Sequence, residues 1–216
     1  LKKLAANANP KAQWLIVLAT TLDRLDRPEE ALAVMEKVDL NDPALSAKIR
    51  LQVAIFWLNH DHPKRALNLL ETMAKNPRAS KNCRVALIEA LVRTGKPQAA
   101  NAPLKKLLDR YPQDEQIWRL AAWTAIEQKD YGKAAAALEV AFRLDPPKRG
   151  GWKRLGNLYR LAGVPRKAAQ TYIRAFGETP TAKDLDLLAY TYTEAHQMEY
   201  ALATARIQLA FLHQHR

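Results

Sequence analysis

An alanine recurs along this 216-residue chain at an almost constant interval. The intervals are 35, 34, 34, 34 and 33 residues, and the positions are Ala31, Ala66, Ala100, Ala134, Ala168 and Ala201. A period of this length, kept over six copies, is typical of a repeat protein. One such unit is too small to bury its own apolar face, so neighbouring units must stack. The period therefore predicts one elongated solenoid instead of a fold around a single central core.

Apolar residues in each repeat follow the spacing of two helix faces. Prolines stand where the second helices must end, because proline lacks an amide hydrogen and disfavours helix in the residue before it. These prolines are Pro43, Pro77, Pro112, Pro146 and Pro180. No run alternates apolar and polar residues between turn signals, so no strand is predicted. We predict an all-α chain of about twelve antiparallel helices, each about 12–15 residues long.

Residues that tolerate left-handed geometry predict the turns inside the helix pairs. They are Asp26, Asp61, Gly95 and Gly163. A proline follows several of these turns, near the start of a second helix, where proline costs little. The third repeat departs from the pattern, because Ile88 occupies the small position of the first helix and Arg84 replaces an aromatic residue. We expect a local adjustment of helix packing there.

The period divides the chain into six repeats and one partial repeat. We interpret residues 1–10 as the last helix of a truncated preceding repeat, because they resemble the residues before Pro112. Residues 11–216 are predicted to form the solenoid. Its repeats span roughly residues 12–45, 46–80, 81–114, 115–148, 149–181 and 182–216.

Residues 152–180 form the most regular copy, with the spacing W-x2-L-G-x2-Y followed by Gly, A-x3-Y, Ala and Pro. The residues are Trp152, Leu155, Gly156, Tyr159, Gly163, Ala168, Tyr172, Ala175 and Pro180. This pattern resembles the tetratricopeptide repeat (TPR). The resemblance implies a right-handed α-α superhelix that holds other proteins and is not an enzyme.

In TPR proteins, ligands lie along a concave surface lined by the first helices, and the resemblance carries those positions over to this chain. The partner-binding groove that it implies is lined by Leu51, Ile55, Leu58, Val92, Arg119, Trp123, Ile126, Lys153, Asn157, Arg160 and Tyr190. The middle of this set is apolar, as in a partner site. A second interpretation stays open, in which helix packing between repeats buries these apolar side chains. Lys153 and Asn157 also match half of the carboxylate clamp of TPR co-chaperones, but Leu187 stands where the next Asn belongs, so we expect no chaperone-tail receptor.

Positive charge is concentrated in one segment of the chain. The formal net charge is +12, and residues 143–174 contain nine basic residues against a single acid, Asp145. We predict a basic face that includes Arg149, Arg154, Arg166 and Lys167. Such a face suits an acidic protein partner or an anionic polymer, whereas the other interpretation is that it only keeps the protein soluble. We expect no specific nucleic-acid binding, because no nucleic-acid module accompanies the charge.

No sequence pattern predicts catalysis, a cofactor or a metal site. His60 and His62 flank Asp61 in a short turn, but this spacing lacks further ligands. Cys83 is the only cysteine, which excludes a disulfide framework and a cysteine-based zinc site. No apolar stretch is long enough to span a membrane. We therefore expect a protein without enzymatic activity, catalytic residues, cofactor or transmembrane segment.

Residues 155–169 and 181–189, and less closely residues 41–74, are similar to bacterial TPR proteins of TonB–ExbB-type energy-transduction systems. The resemblance implies a periplasmic scaffold that bridges inner-membrane motor components and an outer-membrane transporter. TPR scaffolds of exopolysaccharide export are also similar, and for those the basic face would bind an acidic protein or an anionic polymer. Both hypotheses stay open, as does a cytoplasmic location.

Overall fold

The structure, a computed structural model, describes residues 12–43, 45–147 and 149–214, without the side chains of residues 149 and 211–214. The secondary structure in these ranges consists of twelve α-helices and one 3-10 turn. The prediction of an all-α fold is confirmed. The chain divides into two compact units, Leu1–Leu107 and Leu108–Arg216. The helix predicted within residues 1–10 lies outside the described residues.

Helix pairs build the first unit. Its elements are α1 (Ala12–Arg24), α2 (Pro28–Met35), α3 (Ala47–Asn59), α4 (Pro63–Ala74), α5 (Lys81–Arg93), the 3-10 turn Pro97–Ala100 and the first part of α6 (Asn101–Arg110). Each first helix packs on the element that follows it, so that α1 contacts α2, α3 contacts α4 and α5 contacts the 3-10 turn. Successive pairs are joined by contacts of α3 with α1 and α5, and of α4 with α5. These contacts bury Leu15, Met35, Val53, Leu70 and Ile88.

The second unit repeats this arrangement. After the end of α6 come α7 (Glu115–Glu127), α8 (Tyr131–Leu144), α9 (Arg149–Leu161), α10 (Pro165–Phe176), α11 (Ala182–Glu194) and α12 (Met198–Gln214). The pairs are α7 with α8, α9 with α10 and α11 with α12, and contacts of α8 with α9 and of α10 with α11 join them. Ile117, Phe142, Leu155, Tyr172 and Leu185 lie in the resulting core.

Small residues at the predicted positions let paired helices approach closely. The alanines of the first five second-helix positions have no exposed surface: Ala31, Ala66, Ala100, Ala134 and Ala168. On α9, Gly156 faces Tyr172 of α10, and a Cβ built on this glycine would lie only 2.5 Å from a ring carbon. A larger residue would therefore hold these two helices apart, since protein interiors leave no spare volume.

A left-handed residue closes each turn between paired helices. The backbone φ is positive at Asp26, Asp61, Gly95 and Gly163, as predicted, and also at Lys129 and His196. The next amide donates to a carbonyl five residues earlier, as when Asp130 N donates to Ala125 O over 2.9 Å, which is the Schellman pattern. Sequence reasoning missed Lys129 and His196 because neither is one of the usual turn residues.

The third repeat accommodates its two unusual residues locally. Ile88 is fully buried, and a 3-10 turn stands where the second helix of the pair begins, before α6. The Arg84 guanidinium donates to the carbonyl oxygens of Pro77 and Ala79, over 3.0 and 3.4 Å respectively. Arg84 thus holds the loop between α4 and α5 instead of filling an aromatic position.

Candidate functional site

The residues predicted to line a groove lie on first helices in both units. Four belong to the first unit: Leu51, Ile55 and Leu58 on α3, and Val92 on α5. The other seven belong to the second unit and are called the second-unit set: Arg119, Trp123, Ile126, Lys153, Asn157, Arg160 and Tyr190. Each unit therefore carries its own part of the predicted surface.

In the first unit, half of the predicted apolar surface is buried. Leu58 is only 2% exposed and Val92 only 5% exposed. The cause is packing between repeats, because α3 contacts α5 and α4 contacts α5. For Leu58 and Val92 the structure therefore agrees with the second interpretation, in which packing between repeats buries the apolar side chains. Ile55 is 39% exposed and Leu51 is half-buried, so these two side chains remain accessible.

Aromatic surface is accessible in the second-unit set. Tyr190 on α11 is 57% exposed, so most of its ring surface is open to solvent. Trp123 and Ile126 on α7 are half-buried, so part of each side chain still reaches solvent. Tyrosine, tryptophan and arginine are the residues that most often dominate the binding energy of protein interfaces.

Carboxylates of the next repeat hold two cations of this set. Lys153 Nζ lies 3.0 Å from Asp184 Oδ1, and an Arg160 nitrogen lies 3.7 Å from Glu194 Oε1. Both pairs join α9 to α11. Burial raises the pKa of Asp184, but hydrogen bonds from Lys153 and Thr181 outweigh that effect and lower it. Both pairs are only partly exposed, and ion pairs near the protein surface contribute about 0–1 kcal/mol each, so we take their main effect to be the positioning of the side chains.

The third cation of the set, Arg119, is also engaged. Its Nε lies 2.5 Å from Glu115 Oε2 on the same helix, and another guanidinium nitrogen lies 3.6 Å from Asp145 Oδ2. The guanidinium carbon stands 5.5 Å from the centre of the Phe142 ring. The cations of the second-unit set are therefore paired within the chain, and the surface that they form is less positive than the sequence suggests.

Asn157, which matches half of a carboxylate clamp together with Lys153, has a partner inside its own repeat. The Tyr172 hydroxyl donates to Asn157 Oδ1 over 2.6 Å. Burial raises the pKa of Tyr172, so this hydroxyl stays a donor at neutral pH. Asn157 therefore helps to hold α9 against α10, in addition to lying on the predicted surface.

The predicted basic face is not uniformly positive, because a carboxylate lies beside one of its lysines. Arg154 and Arg166 are exposed, and the side chain of Arg149 lies outside the described residues. Lys167 Nζ stands 5.2 Å from the centre of the Tyr159 ring and 3.9 Å from Glu139 Oε2. Sequence reasoning missed this acid, because it precedes the segment of residues 143–174 where the basic residues cluster.

Glu139 organises a small polar cluster beside the basic face. It accepts hydrogen bonds from the Tyr159 hydroxyl and from Arg143, the latter over 2.8 Å. The hydrogen bond from Tyr159 is the main reason that the pKa of Glu139 is lowered, while burial raises the pKa of Tyr159. A shallow cavity of about 120 Å³ lies between this cluster and Trp152, whose ring is 5.5 Å from the Arg174 guanidinium.

The comparisons agree with the repeat architecture. Residues 59–124 match the sequence profile of the tetratricopeptide repeat family. A tetratricopeptide repeat protein from Parabacteroides merdae superposes on 97% of this chain and 81% of its own, with a TM-score of 0.63 and 18% identity. The chain has a TPR solenoid fold. MamA residues 41 to the end, from Desulfovibrio magneticus RS-1, is also similar, with a TM-score of 0.64 and 18% identity over 78% of this chain and 95% of that one. A comparison with curated protein sequences finds no match to this chain.

Proteins with TPR folds generally act as non-enzymatic interaction scaffolds. Within the described part of this chain, no three His, Cys, Asp or Glu side chains are placed to hold a metal ion. The thiol of Cys83 is buried, and burial raises its pKa, which keeps it protonated and a poor nucleophile. None of the described helices is long and apolar enough to cross a membrane.

Proposed function

We propose that this chain is a non-enzymatic scaffold that binds a segment of another protein on the first helices of its second unit. The observation that carries the proposal is the exposed ring of Tyr190, in a set that also holds the half-buried Trp123 and the ion-paired Arg119 and Arg160. In alanine scanning of protein interfaces, a few residues account for most of the lost binding energy, and tyrosine, tryptophan and arginine are common among them. Stacked helix pairs offer an extended surface for a partner of this kind.

The ion pairs between α9 and α11 support the proposal, because they hold side chains in place before a partner arrives. Binding costs about 0.5–1.5 kcal/mol for each flexible side chain that becomes ordered, and Lys153 and Arg160 are already restrained by their carboxylate partners. Since these cations are neutralised within the chain, the partner does not need to be acidic at this surface. We expect it to contribute apolar side chains that contact Tyr190 and Trp123.

The test compares two exposed apolar side chains on different faces. Tyr190→Ala removes a ring on a first helix, and the matched control Ile173→Ala removes a side chain that is 49% exposed on the second helix α10. In the full-length protein, Tyr190→Ala should weaken retention of the partner by about tenfold or more, as expected for a binding hot spot. Ile173→Ala should leave retention unchanged. Equal retention by the two variants would contradict the proposal.

We also propose that the partner belongs to a bacterial envelope assembly of the TonB type and that the chain works in the periplasm. The support is the sequence resemblance over residues 41–74, 155–169 and 181–189. Fractionation of host cells that produce the full-length protein tests this assignment. We expect the protein in the periplasmic fraction, associated with inner-membrane components, and recovery from the cytoplasm alone would rule the assignment out.

A further inference from the structure

The first unit contains a cavity of about 830 Å³ at one end of its helices. Its walls come from the start of α3, the end of α4, the start of α5 and the loops before α3 and α5, and its apolar lining includes Leu51, Leu69 and Met73. This volume lies within the range of about 300–1,000 Å³ that is usual for sites that take up a ligand. The cavity belongs wholly to the first unit and shares no residue with the second-unit set.

Basic side chains surround this apolar lining. Lys48, Arg50 and Arg78 border the cavity, and none of the described residues that line it is acidic. A guanidinium nitrogen of Arg50 donates to the carbonyl oxygen of Asp42 over 2.7 Å, which fixes this side chain at the edge. Lys48 and Arg78 are exposed, so their charges reach anything that enters the cavity.

Two helix N-termini add to the positive charge at this place. The helices α3 and α5 both begin at the cavity, with Ser46 and Ser80 as their N-caps. The N-terminus of a helix carries a partial positive charge that favours anionic groups close to it. Arg84 holds one wall of the cavity, because it donates to the carbonyl oxygens of Pro77 and Ala79 in the loop before α5.

We propose that this cavity binds a short segment of a partner protein in which one or two large apolar side chains are flanked by Asp or Glu. The apolar side chains would fill the space lined by Leu51, Leu69 and Met73, and the flanking carboxylates would pair with Lys48 and Arg78. Charge complementarity selects this occupant, because basic charges at the edge of an apolar cavity repel basic segments and give acidic ones an attraction that neutral segments lack. The proposal rests on the scaffold role above for the statement that the occupant is a protein.

Short fluorescent peptides test the proposal, each with a Leu-Phe, Leu-Leu or Trp-Leu pair between acidic residues. The variant Lys48→Glu/Arg78→Glu reverses two charges at the cavity, and the control Lys64→Glu/Lys105→Glu reverses two exposed charges elsewhere in the same unit. Both variants have the same net charge, so any long-range attraction falls equally. Fluorescence anisotropy should show binding to the native protein, a loss of about tenfold or more in the cavity variant and a change of at most about twofold in the control.

Several results would overturn the assignment. If both variants lost the same affinity for the peptides, the effect would come from net charge and not from the cavity. If no acidic peptide bound the native protein, the proposed ligand would be wrong. Binding of oleate in place of the peptides would identify a fatty-acid site. Tyr190→Ala should leave peptide binding unchanged, so this experiment and the partner-retention experiment fail independently. Replacement of the apolar pair by two serines should abolish binding, which tests the apolar part of the site.

Discussion

Replacing Gly156 by alanine is expected to disturb the contact between α9 and α10. The added Cβ would lie 2.5 and 2.6 Å from two carbons of the Tyr172 ring, whereas ordinary contact begins at 3.4 Å. The ring or the helix must therefore move by about 0.9 Å. The ring cannot yield easily, because it is fully buried, its hydroxyl donates to Asn157 and it stacks on Phe176 with 5.5 Å between centroids.

Two opposing effects set the magnitude of this change. Overpacking a dense interior typically costs about 1–3 kcal/mol. Alanine also favours the helix over glycine, by up to about 1 kcal/mol. The matched control is Gly132→Ala on α8, where the nearest atom to the added Cβ lies at 3.8 Å. Both glycines lie in helices, Gly132 in the first turn of α8 and Gly156 in the interior of α9, so part of the propensity gain is common to the two variants. Overpacking should make Gly156→Ala less stable than Gly132→Ala by about 1–3 kcal/mol.

Urea titration followed by circular dichroism measures the free energy of unfolding of each variant. Because repeat arrays can depart from two-state unfolding, both the midpoint and the slope of each titration are compared. A second measurement isolates the contact itself. In a Tyr172→Leu background the ring is gone, so Gly156→Ala should cost less than it does in the native chain. If Gly156→Ala is as stable as Gly132→Ala, or if its cost is unchanged without the ring, the close-approach explanation is refuted.

Three further predictions concern the turns, the polar cluster and the loop before α5. Lys129→Gly should stabilise the chain by about 0.5–1 kcal/mol in urea titration, because a left-handed φ of 60° strains a lysine but not a glycine; a loss of stability would contradict this. Glu139→Gln should destabilise the chain at neutral pH, where the native carboxylate is ionised and hydrogen-bonded. The lowered pKa of Glu139 gives the native chain stability that is lost as the pH falls below 4.5, the ordinary pKa of this group, and through the folded-state pKa. The variant lacks this carboxylate, so its stability should fall less steeply with pH in that range. Melting temperatures across a pH series check this, and an unchanged slope would count against it. Arg84→Ala should speed amide exchange over residues 78–80, and unchanged exchange would show that Arg84 does not hold that loop.

The repeat period predicts the helix pairs because close approach between helices leaves little choice of residue. Only a small side chain fits where Ala168 and Gly156 lie, so the same residue types recur at the same interval. Turn geometry is less strictly encoded. The glycine at position 163 predicts a left-handed conformation from the sequence. Lys129 adopts the same conformation although its residue type does not predict it, because the hydrogen bonds of the turn impose it.

The exposure of the groove residues could not be predicted from position in the repeat alone. Ile55 and Leu58 are both apolar and lie one helical turn apart on α3, yet one is 39% exposed and the other 2%. Position indicates which side of a helix a residue occupies, but the neighbouring repeat decides whether that side is covered. Such coverage depends on side chains more than 30 residues away.

The charges of the second-unit set were overestimated for a similar reason. Lys153 and Arg160 belong to the basic segment, but their partners Asp184 and Glu194 lie 31 and 34 residues further along, outside it. These separations are close to the repeat period, so a search for acids one period away from each base would have found both pairs. Local charge density therefore describes a solenoid surface poorly, because residues one repeat apart are neighbours in space.

Photo-crosslinking of the full-length protein in its host tests the central claim most directly. A photoreactive amino acid is placed at position 190 on the first helix α11, and in a second variant at position 173 on the second helix α10. Both positions are exposed, so both can react with whatever contacts them. The scaffold account predicts crosslinks to a discrete protein partner from position 190 and none from position 173. Identical crosslinks from both positions, or crosslinks only from position 173, would contradict it.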